Sequence, residues 1–158
     1  MVLKGLWLMP AVPGGHVLVI GSERPWVEAC VLHAGARAVT TLEFGKVHSA
    51  HPRVRTMLPS EARAAFANGS MPRFDAVVSF SSIEHTGLGR YGDALNPWGD
   101  LQTVARAWCA TRPGGELLLG APTGADALMW NAHRQYGPVR PARAARRATA
   151  RVTRRGAR

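Results

Sequence analysis

Three short apolar runs constrain this chain most: HVLVI at 16–20, FDAVVSF at 74–80 and ELLLG at 116–120. They are nearly continuous rather than alternating, the pattern of strands buried on both faces. Between them the periodicity turns helical. Gly21–Ser22–Glu23–Arg24 turns the chain, and Pro25 suits a first helical position. Trp26, Ala29, Cys30 and Leu32–His33 follow helical spacing as far as Ala34, and Gly35 stops the helix. Arg37–Leu42 reads as a second strand ending at Glu43, Val54–Leu58 as a weak third, and Pro59–Asn68 as a helix with Glu61 in its first turn. A helix over Asp100–Ala110 and a turn at Arg112–Gly115 lead into the fifth strand. This alternation predicts an α/β fold, a doubly wound and mostly parallel sheet with right-handed crossovers and helices on both faces.

The 158 residues suit one domain with a real core, and 46% hydrophobic against 19% charged residues is globular composition. The net charge of +10 suggests nucleic acid until it is located. Residues 139–158 carry eight arginines and no acid, so removing them leaves +2 for the rest. The expected division is a lead-in at 1–13, an α/β domain at 14–138, and a disordered Arg/Ala-rich tail at 139–158 with no apolar face to anchor it. A GC-rich gene read out of frame yields the same composition. Nucleic acid is an expected partner only through this tail, since the body has no basic stripe interleaved with aromatics. Two cysteines, Cys30 and Cys109, sit inside helical patterns and read as buried small hydrophobes of a reducing compartment. No apolar run reaches the roughly 20 residues that span a bilayer. Pro10 and Pro13 interrupt the apolar N-terminus, so a cytoplasmic protein without membrane contact is expected.

In such sheets ligands bind beyond the carboxyl ends of the strands, where strand order reverses. Glu43 lies 22 residues after Gly21, close to the roughly 20 expected of a carboxylate that binds a ribose hydroxyl. The first loop, GSERPW, has one glycine where a pyrophosphate site needs G-x-G-x-x-G, and Glu23 would repel phosphate. Dinucleotides are therefore disfavoured. A phosphate-free nucleoside carrying positive charge, such as S-adenosylmethionine, is compatible.

Three segments resemble the class I S-adenosylmethionine-dependent methyltransferase pattern: VLVIGS with LEF after it, FDAVVSFSSIEH, and TRPGGELLLGAP. More narrowly, GSERPWVEA, SFSSIEHTGLGRYGDALNPWGDL and NAHRQYGPVR resemble an uncharacterised domain-of-unknown-function family, number 268, over roughly Gly15–Arg140. The resemblance implies a Rossmann-like sheet in the order 3-2-1-4-5. It also implies a cofactor side made of Gly21, Ser22, Glu23, Glu43, Ser81 and Glu84. The sixth and seventh strands of a full methyltransferase are expected to be missing or to have become the arginine tail; their loss would leave the fifth as an exposed edge able to support a homodimer.

Two polar segments leave the fourth and fifth strands, SFSSIEHTGLGRYGDALNPWGD at 79–100 and GAPTGADALMWNAHRQYG at 120–137. Those strands are neighbours in the implied order, so the loops should converge. His85 is the leading general base, because imidazole accepts a proton near neutral pH; a local role at the strand end is the alternative. His133 could replace it, with Tyr136 in the same cluster, and Arg134 could hold an anionic or hydroxyl-rich substrate. Arg90, Tyr91, Asp93, Asn96 and Trp98 complete an expected substrate side for a small-molecule or sugar-like acceptor. Asn96–Pro97–Trp98 reads as a turn into the next helix, capped by Asn96 or Asp100. Asp93, Asp100, Asn96 and His85 are metal-ligand types, but their spacing defines no geometry, and no metal is expected.

Overall fold

The computed structural model describes residues 2–45 and 47–139, and the backbone of 150–152. Its main sheet comprises β1 (His16–Ile20), β2 (Ala38–Leu42), β3 (Val54–Met57), β4 (Phe74–Phe80), β5 (Thr111–Gly120) and β8 (Ala150–Val152). The strands are parallel and ordered β3-β2-β1-β4-β5-β8. The first five follow the 3-2-1-4-5 order that the sequence resemblance implies. β8 lies within the arginine-rich tail and pairs with Leu117–Leu119 of β5. The remaining tail expectations fall on residues outside those described.

Period-two alternation, interrupted in β4 by a register shift between Phe74 and Ala76, divides the sheet's side chains between two cores. Val17, Val19, Val39, Ala76, Val78 and Leu118 face α1 (Val2–Leu6) and α2 (Trp26–His33). Leu18, Ile20, Phe74, Val77 and Leu117 face Val104, Ala107 and Ala110 of α4 (Gly99–Ala110). Each fully buried apolar side chain of this size contributes about 1.5–3 kcal/mol relative to exposure. The lead-in belongs to the first core, with Leu6, Met9 and Val12 buried in it. Helix α3 (Pro59–Ala67) buries only Ala62. Its N-terminus is held by Glu61, whose carboxylate accepts the Leu58 amide at 2.7 Å.

Three local expectations are corrected. Cys109 is exposed on α4 rather than buried, and Cys30 is partly buried. Neither Asn96 nor Asp100 caps α4: Asn96 Oδ1 instead accepts the Trp98 amide at 3.0 Å, and Asp100 turns inward. The segment after β5 is an antiparallel ribbon, β6 (Ala127–Met129) paired with β7 (His133–Gln135), where a polar loop is expected. No described helix is long and apolar enough to cross a membrane.

Candidate functional site

The crevice opens at the carboxyl ends of β1, β2 and β4, as the topological rule requires. It is a cleft of about 310 Å³ whose lining includes Gly21, Ser22, Glu23, Glu43, Ser81 and His85. Gly21 has φ +69°, and a Cβ there would lie 1.8 Å from Ser82 Oγ, so the first loop leans directly on the end of β4. Glu23 and Ser81, both at φ +52°, are non-glycine residues in the left-handed region, and both line the cleft.

Glu43 organises the first loop. Its Oε2 accepts the amides of Ser22 (2.9 Å) and Glu23 (3.1 Å), and its Oε1 accepts that of Phe44 (2.7 Å). Beneath it lies Glu28, fully buried on α2, which accepts hydroxyl hydrogens from Thr41 at 2.6 Å and Ser22 at 2.7 Å. Sequence reasoning misses Glu28, because a single acid in an amphipathic helix reads as solvated surface. It also misses the aromatic lining of Trp26, Phe44 and Phe80, of which Trp26 and Phe80 meet edge-on at 5.4 Å. Glu23, Glu43 and Asp93 make the lining acidic, and among the described residues no lysine or arginine joins them.

On the far wall the two polar segments converge as expected. His85 Nδ1 lies 2.6 Å from the Ala132 carbonyl in the ribbon's turn, and its ring meets those of Tyr91 and His133 edge-on at 5.6 and 6.1 Å. A carbonyl only accepts, so Nδ1 carries the hydrogen and Nε2 keeps the lone pair in neutral His85. Asp93 accepts the amides of Gly87 and Tyr91, bracing the loop with its carboxylate.

Several expected site residues have other duties. Arg134 is fully buried, so it does not meet substrate from the cleft. Its guanidinium donates to the carbonyls of Glu84 (3.3 Å), Thr86 (2.6 Å), Asn96 (3.2 Å) and Pro97 (3.3 Å), with Nε 3.6 Å from Asp100. Tyr136 donates its hydroxyl to Asp100 at 3.1 Å; burial and that carboxylate push its phenol far above the usual range, which removes it as a base. Glu84, expected on the cofactor side, is fully buried and accepts the Ser81 hydroxyl at 2.8 Å. Asn96 serves the turn, and neither Trp98, Arg90 nor His133 lines the cleft. The four residues considered for a metal are likewise dispersed, and no group of three or more His, Cys, Asp or Glu able to hold one occurs among the described residues.

A parallel 3-2-1-4-5 core with a crevice at its switch point defines a Rossmann-like, doubly wound α/β domain. The chain belongs to the family described as Caenorhabditis protein of unknown function, DUF268, whose pattern matches residues 14–145. The fold is shared with solved structures at low identity. One is the 1,6-didemethyltoxoflavin-N1-methyltransferase of Burkholderia thailandensis, solved with 1,6-didemethyltoxoflavin and S-adenosylhomocysteine (TM-score 0.60, 17% identity, 92% of this chain and 65% of that one). Another is a Streptococcus mutans protein assigned as an S-adenosylmethionine-dependent methyltransferase (TM-score 0.53, 13% identity, 75% and 33%). The chain thus spans about a third of one neighbour and just under two thirds of the other. No curated protein matches the sequence.

Proposed function

We propose that this domain binds S-adenosylmethionine in the cleft and transfers its methyl group to a small, hydroxyl- or amine-bearing acceptor, sugar-like compounds included. The observation that carries the reading is the acidic lining of Glu23, Glu43 and Asp93 at the switch point of a methyltransferase-like sheet. Such a lining disfavours phosphates and attracts a sulfonium and an ammonium group. Glu43 would hold the ribose hydroxyls through the capacity left on Oε1, with Gly21, Ser22 and Ser81 beside the amino-acid end. When bound, the cofactor supplies an electrophilic methyl carbon.

The chain's own part is to position the acceptor and take its proton. His85 lines the cleft, and the hydrogen bond at Nδ1 leaves Nε2, 3.8 Å from Glu84 Oε1, as the unprotonated nitrogen of the neutral ring. Tyr91 and the carboxylate-braced loop carrying it would bound the acceptor side. Isothermal titration should show saturable heat with S-adenosylmethionine and none with NAD. Binding of NAD instead, or of neither by folded protein, would refute the assignment.

A second reading, a methyltransferase-like binding domain without turnover, draws on the three amides already satisfied by Glu43. It predicts cofactor binding but no methyl transfer to any amine or hydroxyl acceptor. The free thiols Cys30 and Cys109 fit a reducing compartment, and we place the protein in the cytoplasm. Salt-sensitive nucleic-acid binding through the arginine tail would be a separate property of residues outside those described.

A further inference from the structure

Arg134 has no access to the cleft, yet it touches the segment that carries His85 at both ends. One terminal nitrogen donates to Glu84 and Thr86, the carbonyls on either side of His85. The other donates to Asn96 and Pro97, where the same loop returns to α4. Arg134 sits in the middle of β7, and β7 follows the ribbon turn whose Ala132 carbonyl meets His85 Nδ1. The ribbon therefore holds the 84–97 segment in two ways, through Arg134 to four of that segment's carbonyls and through its own Ala132 carbonyl to the His85 imidazole.

We infer that Arg134 is the positioning residue for His85. It clamps the 84–97 segment onto the β6–β7 ribbon so that the Ala132 carbonyl selects the Nδ1–H tautomer and leaves Nε2 unprotonated on a ring that lines the cleft. The inference rests on the proposed role of His85 as base, but its geometric content is independent of cofactor binding. Guanidinium suits the task because its five N–H donors form a rigid planar fork. Lysine keeps the charge near Asp100 but has one nitrogen, which cannot meet carbonyls at both ends of the loop.

Arg134→Lys and the charge-matched double variant Arg134→Met/Asp100→Asn test this on the full chain. The readouts are long-range ¹⁵N correlation spectra of the histidine rings and amide hydrogen exchange at Leu88 and Asn96, whose amides close the loop on His85 and Gly87. Wild type should show His85 protonated at Nδ1. The lysine variant should fold, lose that single tautomer to a mixture, and exchange those two amides at least tenfold faster. Titration with S-adenosylhomocysteine should give affinities within threefold of each other, because the Glu43 wall is untouched. Absence of binding in both proteins would count against the cofactor reading alone. A folded variant with an unchanged His85 tautomer and unchanged exchange would overturn the inference. Failure of both variants to fold would also overturn it, leaving Arg134 a purely structural residue.

Discussion

At the scale of single residues, the site depends on a few side chains that serve backbone rather than ligand. Glu43 binds three amides, Asp93 two, and Arg134 four carbonyls. Gly21 shows how tightly the first loop is built. An added methyl would strike Ser82 Oγ and require φ +69° of an L-residue, so Gly21→Ala should cost about 1–3 kcal/mol. Chemical denaturation would register this as a lower midpoint, and an unchanged midpoint would show that the loop relaxes freely. The sequence points to the loops around this cleft, and Gly21, Ser22, Glu23, Glu43, Ser81, His85, Tyr91 and Asp93 do line it. It does not separate residues that line the cleft from those that brace it. Arg134, Glu84 and Tyr136 have polar ends suited to ligands, yet the first two are fully buried and the third half-buried beside a ribbon whose pairing no local pattern announces.

At the scale of elements, the continuous apolar runs define β1 and β4 to within a residue, because a doubly covered strand has no face on which polar residues can intrude, whereas β5 begins at Thr111 and takes in the Arg112–Gly115 stretch expected to be a turn. The β6–β7 ribbon escapes because its three-residue strands are too short for period two to register, and all of β6 is exposed. At the opposite end of the sheet, His16 packs edge-on against Phe74 and its Nε2 lies 2.9 Å from Thr40 Oγ1. Burial, then Arg37, hold its imidazole below the ordinary value of 6.5 despite the nearby Asp75 carboxylate. The unfolded chain therefore binds this proton more readily. The associated stability is complete above about 6.5 and is lost as pH falls through the lower, folded value. Asp75 is held below its ordinary value chiefly by the His16 amide, which extends the loss into the carboxylate range. Thermal melts from pH 7.5 to 5 should fall less steeply for His16→Gln than for wild type; equal slopes would assign the pH dependence to other histidines.

At the scale of the whole molecule, the sheet order places three acidic side chains from three separate stretches of chain around one cleft. Glu23 follows β1, Glu43 follows β2 and Asp93 lies in the loop after β4, so no contiguous motif carries the site. The charge that dominates the composition lies elsewhere, in the arginine tail, and the net +10 therefore misdescribes the cleft. The central claim is that this acidic crevice takes a phosphate-free cationic nucleoside, with Glu43 as its ribose anchor. Titration of the full chain with S-adenosylmethionine, repeated on Glu43→Ala shown to be folded, tests it most directly. One saturable site is expected, weakened at least tenfold, about 1.4 kcal/mol, by the substitution. Folded wild type that gives no heat, or binding that Glu43→Ala leaves unchanged, would contradict it.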